Sequence, residues 1–378
     1  MNIGLLSRCG ELVREGHEVV VVTPDRFQYY SGMGPGMLGG TYEVDEIRFP
    51  VEAIADRAGA RFIAGEIERI DAERNELLLA GGDRLPYDVL SLNTGSQTAL
   101  PFESDTPSHP QSSEEDGPLL VPSKPISGLV ELRRRLEETD QRKRWRIVVA
   151  GGGPAAVEIA ANVAQLLGNR PHEIVMVTGR SLLPGFPRRA SRVAARALQS
   201  LGITIRTGDR VVGIDATGAV CESGHIPVDL VIAATGVVPS RLMQESGLPT
   251  GRDGGLAVGK CLNVANRANI FAGGDCAWFA PRPLPKVGVF AVRETPILIE
   301  NVMAAMRGRL QMRPFHPQRN YLLLINLGDG RALLWRRFLG FHMALAGRWV
   351  WRLKDRIDRS FMSEYGSDRE WDQEHSTY

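Results

Sequence analysis

The chain has 378 residues, 43% hydrophobic and 24% charged, with 45 Lys and Arg against 44 Asp and Glu for a net charge of +1. That profile excludes wholesale disorder, a collagen or coiled-coil rod and a multi-pass membrane protein, and gives no ground for nucleic-acid binding or bulk attraction to anionic lipid. Length alone predicts roughly two or three domains. Cys9, Cys221, Cys261 and Cys276 stand far apart with no CxxC pair, which argues against a disulfide scaffold, a zinc site or dithiol redox chemistry. Charged residues come too early in MNIGLLSRCGELVREG for a secretory leader. No run of about 18 apolar residues marks a spanning helix. A reducing, cytoplasmic location is the expectation.

In chain order, residues 3–15 read as a helix, and GHEVVVVTPD at 16–25 as a β-branched strand of the buried parallel kind. Residues 59–95 pass from a strand through a polar-turned meander to the apolar strand YDVLSLNTG, which closes on Thr94–Gly95. The Pro- and Ser-rich stretch 102–118 reads as an exposed crossing loop. The charged helix LVELRRRLEETDQRKR follows, with a solvated face. WRIVVA at 145–150 is a strand, GGGPAAVE at 151–158 opens a helix, and a strand at 173–177 follows. This is the G-x-G-x-x-G/A fingerprint, with Gly151, Gly153 and Ala156 in its three slots. The glycines permit a tight turn and close backbone approach, and the helix N-terminus offers free N–H groups to a pyrophosphate. After the strand come Thr178, Gly179 and Arg180. No acid is present to select NAD through its ribose hydroxyl, and an Arg can accept a 2′-phosphate, a slight lean toward tolerance of NADPH that leaves the nicotinamide as NAD(P)H.

The two halves repeat each other. GHEVVVVTPD matches PHEIVMVTGR at 171–180, and 59–95 matches 202–236, which ends at Thr235–Gly236. The offset of 155 residues puts the counterparts of Gly151 and Gly153 ahead of Met1. The first half therefore has a helix without its preceding strand and glycine loop. One expectation is a chain that begins about ten to twelve residues into the unit. The other is a divergent domain that has lost its first nucleotide site.

Further on, NIFAGGDCA ends a strand at Gly273–Gly274–Asp275, where a carboxylate can accept hydroxyl protons of a ribityl chain or cap a helix. KVGVFAVRE begins a helix at Lys286, Gly288 and Val289 whose N-terminal dipole can face a flavin edge. Lys286 either adds a charge there or is solvated. Toward the C-terminus, Leu345, Trp349, Leu353, Ile357 and Phe361 recur every four residues, with Arg348, Arg352 and Arg359 on another face. This fits an interfacial helix on an anionic membrane, or a stripe docked on its own flavin domain or on a second subunit of a homodimer. Residues 363–378 read as a frayed tail.

These motifs resemble the pyridine nucleotide-disulfide oxidoreductase superfamily, within it the type II NADH dehydrogenases, and more narrowly a flavoprotein subgroup associated with selenide, water dikinase. The carriers are YSGMGPG (30–36), YDVLSLNTG, GGGPAAVE, IFAGGDCA, KVGVFAVRE and GRWVWRLKDRIDRSFM (347–362). The resemblance implies an α/β fold of two Rossmann-like, glutathione reductase-type domains, the NAD(P) domain inserted in the FAD domain. The expected division is 1–125 and 259–310 for FAD, 126–258 for NAD(P), and 311–378 for a C-terminal β/α segment.

It further implies FAD and NAD(P)H, with Asp275 at the ribityl or pyrophosphate region and Glu158 near nicotinamide and flavin. Thr94, Gly95, Gly236, Gly274, Gly288 and Val289 would line the cofactor cleft, and Gly151, Gly153, Ala156 and Arg180 the NAD(P) site. The implied function is hydride transfer from NAD(P)H to flavin, and then electron transfer to an acceptor, most simply a quinone. The catalytic candidates are Glu158 and Lys286. Two alternatives stay open: a reductase of a small redox protein, and a nucleotide-binding or partner module without turnover, linked to selenium metabolism.

Overall fold

The computed structural model describes residues 2–104, 117–309, 311–338 and 341–366. Most of the expected crossing loop (105–116) and the tail from 367 lie outside the described residues. The helix expected over 3–15 is instead two short ones, Asn2–Leu6 and Cys9–Arg14. Between them the Ser7 hydroxyl turns back to the Gly4 carbonyl (2.9 Å), offering the backbone an alternative to the helical ladder.

The first half contains β1 (Val20–Thr23), β2 (Arg61–Ala64) and β3 (Leu90–Leu92), with a short helix α1 (Gly34–Leu38) between β1 and β2. The second half contains β4 (Leu119–Pro122), α2 (Ile126–Glu138), β5 (Trp145–Ala150), α3 (Pro154–Leu167), β6 (His172–Thr178), α4 (Arg188–Ser200), β7 (Thr204–Thr207) and β8 (Leu230–Ala233). Its sheet is parallel, in the order β4-β8-β5-β6-β7. Ile147, Val149 and Ile174 meet Leu132 and Leu136 of α2 and the alanine-rich α3 on one face. On the other face Val148, Ala150 and Val175 pack under the three-stranded meander Val211–Pro227.

The internal repeat is visible in space. The meander Ile67–Pro86 is the counterpart of Val211–Pro227. β1 pairs with β2 in parallel, and β3 pairs in parallel with β9 (Arg267–Ala272). In the second half β5 joins β8 to β6. Among the described residues of the first half no strand bridges β3 and β1, which lie in separate sheets. The Asn2 side chain lies against β3, donating to the Ser91 carbonyl (3.0 Å) and accepting from the Ser91 hydroxyl (3.0 Å).

After the long helix α5 (Gly288–Met306), an antiparallel sheet of β10 (Leu322–Asn326), β11 (Ala332–Phe338) and β12 (Phe341–Gly347) leads to α6 (Arg348–Gly366). The period of two divides this sheet. Ile325, Leu333 and Ala344 face the second half's core. Ala332 and Leu334 face Val350 of α6.

The C-terminal stripe is corrected by the structure. Leu345 belongs to β12, and the helix starts at Arg348 and runs on through Gly366 instead of fraying from 363. Its buried side chains are Val350, Lys354 and Asp358, whereas Trp349 and Ile357 are 53% and 45% exposed. The inner face is polar because it finds polar partners. Lys354 Nζ donates to the Gly32 carbonyl (2.7 Å) and to Asp358 (2.6 Å), the Tyr30 hydroxyl donates to Asp358 (3.2 Å), and Tyr42 donates to Asp355 (3.0 Å). Phe361 stacks on Tyr30 at 4.6 Å.

The turn between β10 and β11 is pinned by Gly328, at φ +75°, where an added Cβ would fall within the Ala161 carbonyl of α3. Gly328→Ala is expected to destabilise the protein by about 2–4 kcal/mol through left-handed strain and this clash. Thermal unfolding followed by tryptophan fluorescence measures the loss.

Candidate functional site

The glycine turn after β5 is built on close approach. Gly151 has φ +134°, and a Cβ there would overlap the Ala234 carbonyl at the end of β8. At Gly152 a Cβ would meet the Thr178 hydroxyl and the Ser181 carbonyl, so the loop after β6 closes directly on the turn. Gly153 is the N-cap of α3 and contributes no side chain, Pro154 occupies N1, and Ala156 is fully buried where the helix meets the sheet. This leaves the first-turn N–H groups of α3 to a ligand. Arg180 stands exposed beyond the end of β6.

A second group assembles at the ends of β3 and β9. Asn93 Nδ2 donates to the Gly273 carbonyl (2.8 Å), which ties the two strand ends together. Gly95 (φ +68°) and Gly274 (φ +72°) take left-handed conformations, and at Gly95, Gly236 and Gly288 a Cβ would meet open space. Asp275 lies in a single 3-10 turn capped by Gly273, so it is not itself a helix cap. Its carboxylate accepts from the Ser96 hydroxyl (2.7 Å) and pairs with Lys124 Nζ (2.7 Å). Burial pushes this carboxyl up, but Lys124 and Ser96 outweigh it and hold it below the usual aspartate range.

Lys286 is neither solvated nor free. Its ammonium donates to the Ala277 carbonyl (2.5 Å) and pairs with Asp253 (2.9 Å). Behind it Glu294 is buried and accepts from the Gly274 N–H (2.7 Å), and burial lifts its carboxyl to about 7. Asp275, Lys286, Phe290 and Glu294 line one narrow notch beside Gly274 and the start of α5. Cys276 is fully buried, and burial pushes its thiol up, consistent with a packing role.

The two groups meet. Thr98 of the segment after Gly95 bonds to Ser123 (3.0 Å) and to the Lys124 N–H (2.9 Å), and the Thr235 hydroxyl donates to the Ala99 carbonyl. Gln97–Thr98 pairs antiparallel with Val237–Val238, just past Gly236. A continuous set of contacts therefore runs from Asp275 through Ser96, Lys124 and Thr98 to Gly236 and the Gly151 turn. A larger cavity of about 780 Å³ beside the Ile67–Pro86 meander shares no residue with either group, and its Arg84 and Arg267 are paired with Glu76 and Glu73.

Glu158, one turn into α3, points elsewhere, toward the C-terminal segment. Its carboxyl accepts from the Asn326 N–H (2.7 Å) and lies in the field of Lys354 and Asp358. The residue is half-buried, yet its carboxyl is enclosed by these neighbours. Desolvation raises it to about 7 despite Lys354 and the Asn326 N–H, which pull it down. Burial also raises Asp358 and Tyr30. With two carboxyls beside one ammonium, this cluster holds a proton close to neutral pH.

Sequence reasoning missed Lys124, Ser96, Glu294, Lys354 and Asp358. Lys124 and Glu294 did carry a signal, being ionisable residues at the close of an apolar strand and on the apolar face of KVGVFAVRE.

Fold and site together define an oxidoreductase built on two dinucleotide folds. The chain belongs to the pyridine nucleotide-disulphide oxidoreductase family, whose pattern matches residues 7–305. This family and the relatives depend on FAD and take NAD(P)H, and the chain is accordingly an NAD(P)H oxidoreductase. It is 28% identical over 319 residues to the demethylphylloquinone reductase NdbB of Synechocystis, covering 80% of this chain and 76% of that one. It is 22% identical to the type II NADH:quinone oxidoreductase of Staphylococcus saprophyticus, covering 85% and 83%. The sulfide:quinone oxidoreductase structure from Aquifex aeolicus superposes with a TM-score of 0.74 over 96% of this chain and 89% of that one, at 15% identity, a likeness of fold.

Gly151→Ala is expected to weaken NADH binding more than about tenfold by displacing the turn from the end of β8. Calorimetric titration, with circular dichroism as the control for folding, measures it.

Proposed function

We propose that the chain oxidises NAD(P)H and reduces a quinone at a membrane surface. The observation that carries this reading is the contact path from the Gly151 turn to Asp275, which brings the two nucleotide-fold groups to one joint. The named quinone substrates of the Synechocystis and Staphylococcus relatives support the acceptor class.

Gly151 and Gly153, with the first turn of α3, hold the NAD(P)H pyrophosphate. The ring and ribityl end of FAD fits the second group. Space is open at Gly95, Gly236 and Gly288, Asp275 is ionised and ready to accept from hydroxyls, and the N-terminus of α5 at Gly288–Val289 offers a positive dipole end. Thr94 lines the same strand end. Bound FAD supplies the two-electron chemistry between nicotinamide and acceptor. Lys286 acts through its pair with Asp253, fixing the strand-to-helix passage that carries Asp275 and Gly288.

Reduction of a quinone by NAD(P)H takes up one proton from solution beyond the hydrogen that the nicotinamide gives. Glu158 holds such a proton at its carboxyl near neutral pH, with desolvation, Lys354, the Asn326 N–H and Asp358 setting its affinity. In this reading the proton reaches the acceptor from the C-terminal side of α3, toward which Glu158 points, so its protonated form is the competent one and turnover falls as pH rises through about 7. In Glu158→Gln that limb disappears and the plateau drops by about tenfold or more. Steady-state rates of the FAD-loaded enzyme with NADH and a soluble quinone from pH 5 to 9 test this. An unaltered profile in the variant removes Glu158 from the proton path, and an FAD band that NADH fails to bleach removes the whole reading.

The exposed Trp349 and Ile357, with half-buried Leu353, form an apolar ridge on α6 flanked by exposed Arg348, Arg352 and Arg356. This arrangement supports seating on an anionic bilayer from the cytoplasmic side. No described helix is long and apolar enough to cross a membrane. The double variant Trp349→Glu/Ile357→Glu is expected to lose flotation with anionic vesicles while keeping turnover on a water-soluble quinone. Equal flotation of variant and parent refutes the membrane seat.

A further inference from the structure

Between Thr178 and Arg210 the chain carries seven arginines and a single aspartate, with no lysine or glutamate, in a protein whose net charge is +1. Three of these arginines converge on the strand ends beside the glycine turn. β5, β6 and β7 are adjacent, with Ala150 opposite Val177 and Val177 opposite Arg206. Arg180 follows the end of β6 by two residues. Arg210 lies over Gly179, where an added Cβ would stand 2.8 Å from Nε and 3.1 Å from Cγ. Arg180, Arg206 and Arg210 are all exposed, and among the described residues none of them forms an ion pair. Two acids lie nearby: Glu222, whose N–H bonds to the Arg210 carbonyl (2.9 Å), is exposed, and Asp209 is already engaged. Its carboxylate accepts from the Ser223 hydroxyl (2.5 Å), the Ser223 N–H (3.2 Å) and the Arg210 N–H (2.9 Å), which hold it below the usual aspartate range. It is also 5% exposed.

The loop is fixed against the turn. The Leu183 N–H donates to the Gly152 carbonyl (2.7 Å), and the Gly208 N–H donates to the Thr178 carbonyl (2.9 Å). A dinucleotide whose pyrophosphate rests on Gly151–Gly153 extends its adenosine ribose across the end of β6. There it meets three guanidinium groups that form no ion pair among the described residues.

The geometry points to a 2′-phosphate site formed by Arg180, Arg206 and Arg210, which makes NADPH the preferred reductant. This inference rests on the reading of the Gly151 turn as the NAD(P)H site. Guanidinium groups recognise phosphate in the bidentate manner that a diol cannot reward. Arg188 and Arg189, exposed at the start of α4, add to the field that draws the more highly charged dinucleotide in.

Titration calorimetry with 2′,5′-ADP and with 5′-ADP on the full chain separates the contributions and needs no turnover. The expected result is binding of 2′,5′-ADP at least about tenfold tighter at low salt, an advantage that shrinks as salt rises. In Arg180→Gln/Arg210→Gln that advantage should fall to within about twofold, with 5′-ADP affinity unchanged. In the FAD-loaded enzyme, kcat/KM for NADPH over NADH should fall in parallel, through KM rather than kcat. Equal affinity for the two ligands overturns the 2′-phosphate site alone and leaves the dinucleotide turn standing. Failure of both ligands to bind overturns the turn and this inference together. Equal loss of both ligands in the double variant makes the arginines structural and sinks the specificity assignment.

Discussion

The arrangement depends on one ion pair. Lys124 comes from the turn after β4 of the second nucleotide fold, and Asp275 from the turn that closes the first. They meet at 2.7 Å, with side chains 23% and 15% exposed. A surface pair is worth little, but here both groups are largely shielded, so removing one partner leaves a poorly solvated charge. Ser96 and Thr98 complete the junction from the strand that ends at Gly95. The same contact ionises Asp275 and fixes how the Gly151 turn sits against it. A catalyst working between two bound nucleotides needs that relation held within a fraction of an ångström.

The sequence was most readable where backbone geometry leaves few choices. The Gly151–Gly153 turn, the paired Thr-Gly strand ends and the two meanders follow from steric demands that only particular residues meet, and the duplicated order made each half a template for the other. The parallel sheet around β5 was legible for the same reason, since its strands are continuous apolar runs.

Reading failed where distant residues decide. The four-residue apolar spacing around Trp349 suggests a greasy inner face, yet the buried positions are Val350, Lys354 and Asp358. Their partners, Tyr30, Gly32 and Glu158, lie more than 190 residues upstream. Lys286 looked available for a cofactor because Asp253 is remote in the chain. The first helix broke because Ser7 bonds locally, which a hydrophobic period does not report.

The polar inner face of α6 has a consequence for how that helix is held. An apolar face can slide along its groove by one turn, about 5.4 Å, and lose little. Lys354 and Asp358 cannot do so, because a slip of one turn would take the ammonium from the Gly32 carbonyl and the carboxylate from the Tyr30 hydroxyl. The joint is keyed rather than greased. Its outer surface is thereby relieved of any duty in anchoring the segment, and can carry tryptophan and isoleucine without competing for the wrong side of the helix.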